Sequence, residues 1–368
     1  MATKTWLDPH MEHFSMKFAI LNDTHAGIRN SSEIFLDNAE KFYSTVFFPY
    51  LEEHGITHIL HLGDYYDNRK FINFRALHRN RKMFLSELRD RQITMDIIAG
   101  NHDTFYKNTN DLNSLKELLG HYMDEVNIIH EPTEMQYGDM TWALVPWIAP
   151  DNEAQSLEFI RTTKATHVGG HFELTGFEVM KGVEMTHGME TGIFERFDAV
   201  YSGHFHTKSS KHNIHYLGTQ LEFFWNDAHD PKHFHVFDTE TKTLTAIQNP
   251  HTLFKRIYYD DSQTDYLQYD LSDVDGKFIK VVVMNKSDLF TFDRFIDRLQ
   301  SRKIHELKIA ENFNEFIGES VADSDVSLED TTSLLNSYID AVDTDLDKDR
   351  IKTQMNALMI EAQTMEIA

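Results

Sequence analysis

Five short clusters of residues that commonly bind metal ions recur along the chain, each directly after a short apolar run. They are Asp23-Thr24-His25, Gly63-Asp64, Gly100-Asn101-His102-Asp103, Gly169-Gly170-His171 and Gly203-His204-Phe205-His206. Apolar runs of about four to eight residues bounded by glycine are typical of buried strands. We therefore expect the clusters at strand ends, on loops held by a rigid sheet, where catalytic residues concentrate.

The donor types in these clusters point to divalent metal ions. In Asp23-Thr24-His25 and His204-Phe205-His206 the paired side chains are two positions apart, so both point to one side of an extended segment. Carboxylate, amide and imidazole donors suit manganese, iron or zinc, and the chain has no cysteine. The donors suffice for two ions if one carboxylate bridges, and Asp64 is the bridging candidate. Two ions about 3.5 to 4 Å apart can activate water and stabilise both oxygens of a displacement at phosphorus, which predicts phosphoester hydrolysis.

At these residues the chain resembles the calcineurin-like metallophosphoesterases and, within them, the SbcD-type nuclease subunits of double-strand-break repair complexes. The order DTH, GDYYD, GNHD, GHFE and GHFH carries the resemblance, and stretches such as GNHDTFYKN and SGHFHT are most similar to recombination nuclease subunits of T-even phages. The resemblance spans about residues 16–260. It implies an α/β (α+β) fold: a sandwich of mixed sheets flanked by helices, with a small αβ capping domain and C-terminal helices.

The resemblance also implies the roles of the site residues. One ion would be held by Asp23, His25, Asp64 and His206, and the other by Asp64, Asn101, His171 and His204. His102 would face the scissile phosphate as the catalytic histidine. Many relatives carry a second substrate-facing histidine three residues after the bridging aspartate, but that position here is Asp67. The implied cofactors are two Mn²⁺ per chain, with Mg²⁺ as a weaker substitute.

Charge is distributed unevenly along the chain. The formal net charge of −24 opposes binding to DNA phosphates. Residues 311–350 hold twelve acidic residues and two basic ones, whereas residues 69–91 hold eight basic residues and two acidic ones. The basic stretch follows the Asp64 loop and has helical apolar spacing. Its candidate DNA contacts are Arg69, Lys70, Arg75, Arg79 and Lys82. The alternative is a solvated helix face.

Composition and pattern divide the chain into five segments. We expect a cloning remnant or disordered extension at 1–15, the metallophosphoesterase nuclease domain at 16–262, a capping domain that guides DNA at 263–317, an acidic linker at 318–332 and partner-binding helices at 333–368. The nuclease segment predicts strands near 17–22, 57–62, 95–99, 166–170 and 198–202, with helices at about 33–53 and 71–91. The capping segment predicts a strand, a helix over 288–300 and a second strand.

The two C-terminal helices carry apolar stripes but have little core of their own, so another surface must cover them. The candidate partner-binding residues are Leu335, Ile339, Ile351, Met355, Leu358 and Met365. The resemblance implies that the coiled-coil base of an SbcC-like ATPase of the structural-maintenance type covers them. The alternative is a tail that folds back on its own chain. A homodimer through the helices around 33–53 and 71–91 also fits the family.

The sequence thus predicts a manganese-dependent DNA exonuclease and endonuclease, the catalytic subunit of an ATP-driven recombination and repair complex. An apolar run long enough to span a membrane and a signal segment are both absent, so we expect no membrane association and a cytoplasmic location, in a bacterial host if the protein is phage-encoded. One alternative enzyme is a phosphomonoesterase or a cyclic-nucleotide phosphodiesterase. An alternative of another class is a noncatalytic adaptor that tethers the ATPase to DNA.

Overall fold

The computed structural model describes residues 15–122, 124–180, 183–186 and 188–311, together with 348, 350–352 and 354–355. The chain divides into two compact units. The first comprises Met1–Phe223 and Asp227–Lys255, and the second Phe224–Asn226 and Arg256–Ala368. The expected N-terminal extension, apart from Ser15, and the expected acidic linker lie outside the described residues.

The strands of the described residues follow one another closely along the chain. They are β1 Lys17–Leu21, β2 His58–His61, β3 Thr94–Ile98, β4 Val126–Ile129, β5 Thr133–Tyr137, β6 Met140–Val145, β7 His167–His171, β8 Glu178–Met180, β9 Val183–Glu184, β10 Ala199–Gly203, β11 Ser209–Lys211, β12 Ile214–Tyr216, β13 His233–Asp238, β14 Thr243–Gln248, β15 Phe254–Asp260, β16 Phe278–Asn285 and β17 Glu306–Ala310. The five strands predicted in the nuclease segment correspond to β1, β2, β3, β7 and β10.

The first sheet has the order β14-β13-β1-β2-β3-β4. Strands β1 to β4 run parallel, whereas β13 runs antiparallel to β1. Apolar side chains make these strands almost continuously buried, as expected for a parallel sheet covered on both faces. The loops that follow β1, β2 and β3 therefore leave the sheet at the same edge, and these loops carry the first three clusters.

The second sheet has the order β11-β12-β10-β7-β6-β5, and its central strands β6, β7 and β10 are parallel. It packs against the first sheet through a shared apolar core, in which Leu60 and Leu62 lie with Trp142, Leu144 and Tyr201. His171 is the last residue of β7, and His204 directly follows β10. The predicted sandwich of mixed sheets is confirmed.

Within residues 15–311 as described, the α-helices are α1 Ile28–Ser31, α2 Glu33–Phe42, α3 Phe48–Glu53, α4 Phe74–Asn80, α5 Ser86–Asp90, α6 Ser114–Leu119, α7 Glu153–Thr162 and α8 Leu289–Gln300. One π-helical turn, Tyr43–Phe47, joins α2 to α3, and another, Arg81–Leu85, joins α4 to α5. The second helical stretch, predicted from about residue 71, begins three residues later. The helix begins at Phe74 because the Asn73 side chain accepts hydrogen bonds from the main-chain N–H groups of Arg75 and Ala76.

The second unit contains the predicted strand–helix–strand pattern. Strands β15, β16 and β17 form a three-stranded sheet in which β16 and β17 are parallel, and α8 connects these two. Asp288 caps α8 by accepting a hydrogen bond from the Phe290 N–H group. The aromatic side chains of Tyr259 and Phe295 pack in the core of this unit.

Among the residues that the structure describes, no helix is long and apolar enough to span a membrane. The structure describes only part of the expected partner-binding stripe. Ile351 and Met355 are helical and half-buried, whereas the other four positions of the stripe lie outside the described ranges.

Candidate metal centre

The seven candidate ligands converge at the edge of the two sheets where their parallel strands end. Six of them, together with His102, form three groups within each of which the donor atoms lie within 4.8 Å of one another. One group contains Asp23, His25 and His206, and another contains Asp64, His171 and His204. Residues far apart in the chain therefore meet because each follows a strand of the same sandwich.

The first group surrounds the Nε2 atom of His25. This atom lies 3.1 Å from Nε2 of His206 and 3.9 Å from a carboxylate oxygen of both Asp23 and Asp64. Burial lowers the pKa of His206 well below its usual value, and the nearby His25 lowers it further. The Nε2 atoms of both imidazoles thus face a shared position, as two ligands of one cation must.

The second group surrounds the side-chain oxygen of Asn101. This oxygen lies 3.0 Å from Nε2 of His171 and 3.0 Å from Nδ1 of His204. His171 Nε2 is also 3.3 Å from Oδ2 of Asp64. One carboxylate oxygen, one amide oxygen and two imidazole nitrogens therefore face a common point, a donor set that suits a divalent transition metal.

Asp64 is a member of the second group and also faces His25 of the first. Its Oδ1 atom accepts a hydrogen bond of 2.8 Å from the main-chain N–H group of His102, whereas Oδ2 faces His171 at 3.3 Å and His25 at 3.9 Å. A single oxygen directed at a histidine of each group is one arrangement by which a carboxylate can bridge two ions. The donor set therefore fits two ions that share Asp64.

The backbone is strained where it presents these ligands. Asp23, His25, Asp64 and His204 all have positive φ angles, of 47°, 42°, 55° and 89°. Such conformations cost about 1 to 3 kcal/mol each and cluster at functional sites. Gly100 is needed at its position because a Cβ there would lie 2.1 Å from Oδ1 of Asp64. The glycine of the GNHD motif thus allows two ligand loops to approach each other.

The site has a surplus of negative charge. Burial lowers the pKa of His25, but Asp67, Asp64 and Asp23 outweigh burial and raise this pKa to about 10. Burial likewise lowers the pKa of His171, and Asp64 raises it to about 9. Protons are thus held on imidazoles that would have to be neutral to bind a metal ion. We expect ion binding to release these protons.

His102 lies half-buried beside the first group. Its Nδ1 atom is 2.7 Å from the main-chain oxygen of Asp67, and because a carbonyl can only accept, this nitrogen carries the proton in the neutral ring. An His102 ring nitrogen also lies within 4.8 Å of ligand atoms of His25 and Asp64. The geometry therefore admits both the predicted substrate-facing role and a ligand role.

Asp103, the last residue of the GNHD motif, was not among the predicted site residues. Its buried carboxylate accepts hydrogen bonds from the main-chain N–H groups of Tyr65, Tyr66 and Gly100. Burial and the nearby Asp64 raise its pKa to about 6, although these hydrogen bonds oppose the shift. Asp103 thus joins the Asp64 loop to the Asn101 loop. The sequence signal that could have identified Asp103 was its position directly after His102 in the GNHD motif.

Two further residues that support the site had no clear signal in the sequence. The Trp147 ring lies 5.5 Å from that of His204 and 6.0 Å from that of His171. The buried ammonium group of Lys232 donates to the main-chain oxygen of His206 at 3.1 Å and pairs with Asp227 at 2.6 Å. Both come from loops distant in sequence from the ligands they contact.

The candidate DNA contacts differ in their surroundings. Arg79 pairs with Glu33, Asp37 and Glu40 of α2, and Arg75 also pairs with Glu33. Arg69 donates to the main-chain oxygen of Thr104 at 2.9 Å and so joins its loop to the one after His102. Lys70 and Lys82 form no ion pair with any described residue. Two of the five candidate contacts, Arg75 and Arg79, are therefore already paired with acidic residues of α2.

The two sheets, the strand-end ligands and the shared carboxylate define a metal-dependent phosphoesterase. Residues 16–208 match the family described as Calcineurin-like phosphoesterase. The chain belongs to this family and is a metal-dependent phosphodiester hydrolase. The family predicted from the five motifs is confirmed.

Exonuclease subunit 1 of Enterobacteria phage T4 is 31% identical to this chain over 354 residues, which cover 94% of this chain and 99% of the phage protein. This likeness confirms the predicted similarity to T-even phage proteins. Among solved structures, an archaeal phosphodiesterase is 14% identical and covers 64% of this chain and 100% of its own, with a TM-score of 0.32. The protein TT1561 of Thermus thermophilus is 8% identical and covers 63% of this chain and 98% of its own, with a TM-score of 0.37.

Proposed function

We propose that this chain is a manganese-dependent DNA nuclease, the catalytic subunit of an ATP-driven recombination and repair complex. The observation that carries the proposal is the Asp64 carboxylate, whose Oδ2 atom faces one histidine of each candidate group. The likeness to a phage exonuclease subunit supports DNA as the substrate.

The residues on the two sides of Asp64 would hold one ion each. Asp23, His25 and His206 form one side, and Asn101, His171 and His204 form the other. Two bound ions would supply an activated nucleophile and stabilisation of charge on the attacking and leaving oxygens. Oxygen and imidazole donors without thiolate are compatible with Mn²⁺ and with the more weakly bound Mg²⁺.

His102 would act on the leaving oxygen. Its hydrogen bond to the Asp67 carbonyl fixes the proton of the neutral ring on Nδ1, which leaves Nε2 to exchange a proton with substrate. In the imidazolium form, Nε2 can donate to the 3′ oxygen as the phosphodiester bond breaks. The main-chain bond from His102 to Asp64 ties this group to the bridging carboxylate.

DNA would reach the site over the loop after Asp64. Lys70 remains the best placed of the proposed contacts because it lies on the exposed part of this loop, and Lys82 lies on the following helical stretch. Arg69 would act mainly by shaping the loop through its bond to Thr104, while Arg75 and Arg79 would contribute less because acidic side chains of α2 already neutralise them.

An SbcC-like ATPase would bind the C-terminal stripe, of which Ile351 and Met355 lie within the described residues. The phage relative is named as a subunit, which supports a partner for this chain as well. We further propose a homodimer through α2–α3 and α4–α5. Phe74, at the first position of α4, is 87% exposed, and the nearby Phe71 is 72% exposed. A protein–protein interface would cover this exposed apolar surface.

Replacing Phe74 by aspartate is expected to convert the dimer to a monomer, because the change places a charge in the proposed apolar interface. Light scattering after size-exclusion chromatography measures the mass directly. Phe290→Asp is a matched control, since Phe290 is also exposed but lies on α8 of the second unit. A wild-type protein that is monomeric at all concentrations would contradict the dimer.

A nuclease assay tests the function itself. End-labelled linear and hairpin duplexes are incubated with metal-free protein and then with Mn²⁺, Mg²⁺ or neither, with and without the ATPase. We expect cleavage with Mn²⁺, weaker cleavage with Mg²⁺ and none in chelator. Cleavage of phosphomonoesters or cyclic nucleotides but not of DNA would favour the alternative enzyme. If DNA instead stimulates the ATPase and no substrate is cleaved, the result would favour a noncatalytic adaptor.

A further inference from the structure

We infer that two carboxylates outside the ligand set, Glu173 and Asp67, are positioning residues that orient one histidine on each side of the metal centre. The inference rests on the proposed two-ion site. Glu173 Oε2 lies 3.3 Å from Nε2 of His204, and Asp67 Oδ1 lies 3.4 Å from Nδ1 of His25. Histidines that bind metals commonly use their second ring nitrogen in this way, which fixes the tautomer and raises ligand basicity.

Glu173 acts on the His204 side. The Nδ1 atom of His204 faces the Asn101 oxygen at 3.0 Å, so Nε2 is the nitrogen directed away from the ion position, toward Glu173. A carboxylate can only accept at this contact when it is ionised, so it favours a proton on Nε2 and a lone pair on Nδ1. That tautomer is the one that His204 needs as a ligand through Nδ1.

Asp67 acts on the His25 side, where the two ring nitrogens exchange roles: Asp67 faces Nδ1 of His25, whereas Glu173 faces Nε2 of His204. Nε2 of His25 faces the ligand group, and Nδ1 points to the Asp67 carboxylate. This Nδ1 atom is buried and makes no hydrogen bond within the described residues, so the carboxylate at 3.4 Å is the acceptor within reach. Asp67 contacts His102 through its main-chain oxygen, which a change of side chain leaves in place.

His171 differs from His204 and His25 in how its outer ring nitrogen is held. Its outer nitrogen Nδ1 donates to the main-chain oxygen of Leu62 at 2.7 Å, so its orientation is held by the backbone. His204 and His25 instead depend on side chains. Those of Glu173 and Asp67 are 27% and 22% exposed, so truncating either opens no closed core and the fold should tolerate it.

The test measures Mn²⁺ binding to metal-free protein by isothermal titration calorimetry, independently of activity. Glu173→Ala and Asp67→Ala are each expected to lower the affinity for one of the two Mn²⁺ ions by about 10- to 100-fold. The stoichiometry should stay at two ions per chain. Glu173→Gln should restore part of the loss because its amide oxygen still accepts a hydrogen bond. Glu190→Ala is the matched control, since Glu190 lines the same cavity of about 480 Å³ as Glu173 and should leave both affinities unchanged.

A second set of variants assigns each carboxylate to its ion. His206→Ala should abolish binding of the ion on the His25 side. In the His206→Ala background, Glu173→Ala should still lower the affinity for the remaining ion, whereas Asp67→Ala should not. Unchanged affinities in both single variants would overturn the inference, and so would loss of a whole ion in Glu173→Ala, because Glu173 would then be a ligand. Failure of the wild-type protein to bind two ions would instead contradict the proposed centre itself.

Discussion

Replacing Asp64 by alanine is expected to abolish cleavage and to reduce metal content from two ions per chain. The reason is that Oδ2 of Asp64 is directed at both His25 and His171, while Oδ1 holds the main chain of His102. Removing the carboxylate therefore removes a donor from both sides of the centre and releases the loop that carries the proposed catalytic histidine. Elemental analysis and the duplex cleavage assay measure the two effects separately.

Asp64→Asn separates ligand loss from backbone strain. Asp64 has a φ of 55°, a conformation that asparagine tolerates better than alanine. The asparagine side chain would keep a neutral oxygen but lose the charge, so we expect this variant to fold like the wild type in chelator yet cleave DNA far more slowly. Asp111→Ala, at an exposed aspartate of the same unit, should behave as the wild type. Full activity of either Asp64 variant would eliminate the bridging role.

Replacing His102 by serine is expected to lower cleavage by about 100- to 10,000-fold, the usual contribution of general acid–base catalysis. Serine has no imidazole ring, so the ring proton proposed to reach the leaving oxygen is lost. Metal content should remain at two ions, because the other side chains around Asp64 complete both ligand groups. Single-turnover cleavage and elemental analysis on the same preparation test both parts.

The metal content decides between two roles that the geometry of His102 admits. A variant that loses one ion would show that His102 is a ligand, as its proximity to His25 and Asp64 allows. A DNA substrate with a sulfur in place of the 3′ leaving oxygen gives a sharper test, since thiolate departs without a proton. Such a substrate should recover much of the lost rate in His102→Ser but not in Asp64→Asn.

Local sequence determined the strands and the order of the ligand loops. Strands β1 and β3, for example, are short and largely apolar runs. Such a run can be recognised from its own length and flanking residues, without any knowledge of the neighbouring strands. Because parallel strands end at one edge of a sheet, the clusters at Asp23, Asp64 and Asn101 could be predicted to meet. The start of α4 was misplaced because the apolar residue Phe71 suggested a helix, whereas the cap at Asn73 decides where the helix begins.

Electrostatic surroundings could not be predicted in the same way. The sequence from residue 69 to residue 91 is strongly basic, which suggested a DNA-binding surface. In the folded chain α2 lies beside it, and three of its carboxylates pair with Arg79 alone. Whether a charge is available to DNA depends on partners more than thirty residues away in the chain, and local pattern contains no information about them.

The sequence by itself determined which residues could bind metal ions, since donor type and spacing are local properties of DTH, GNHD and GHFH. Only the tertiary structure decided how each donor is used. It directs Oδ2 rather than Oδ1 of Asp64 toward the histidines, and it places Glu173 and Asp67 behind His204 and His25. The physical reason is that a hydrogen bond depends on distances of a few tenths of an ångström between atoms, and these distances are set by how two sheets pack rather than by the order of residues along either one.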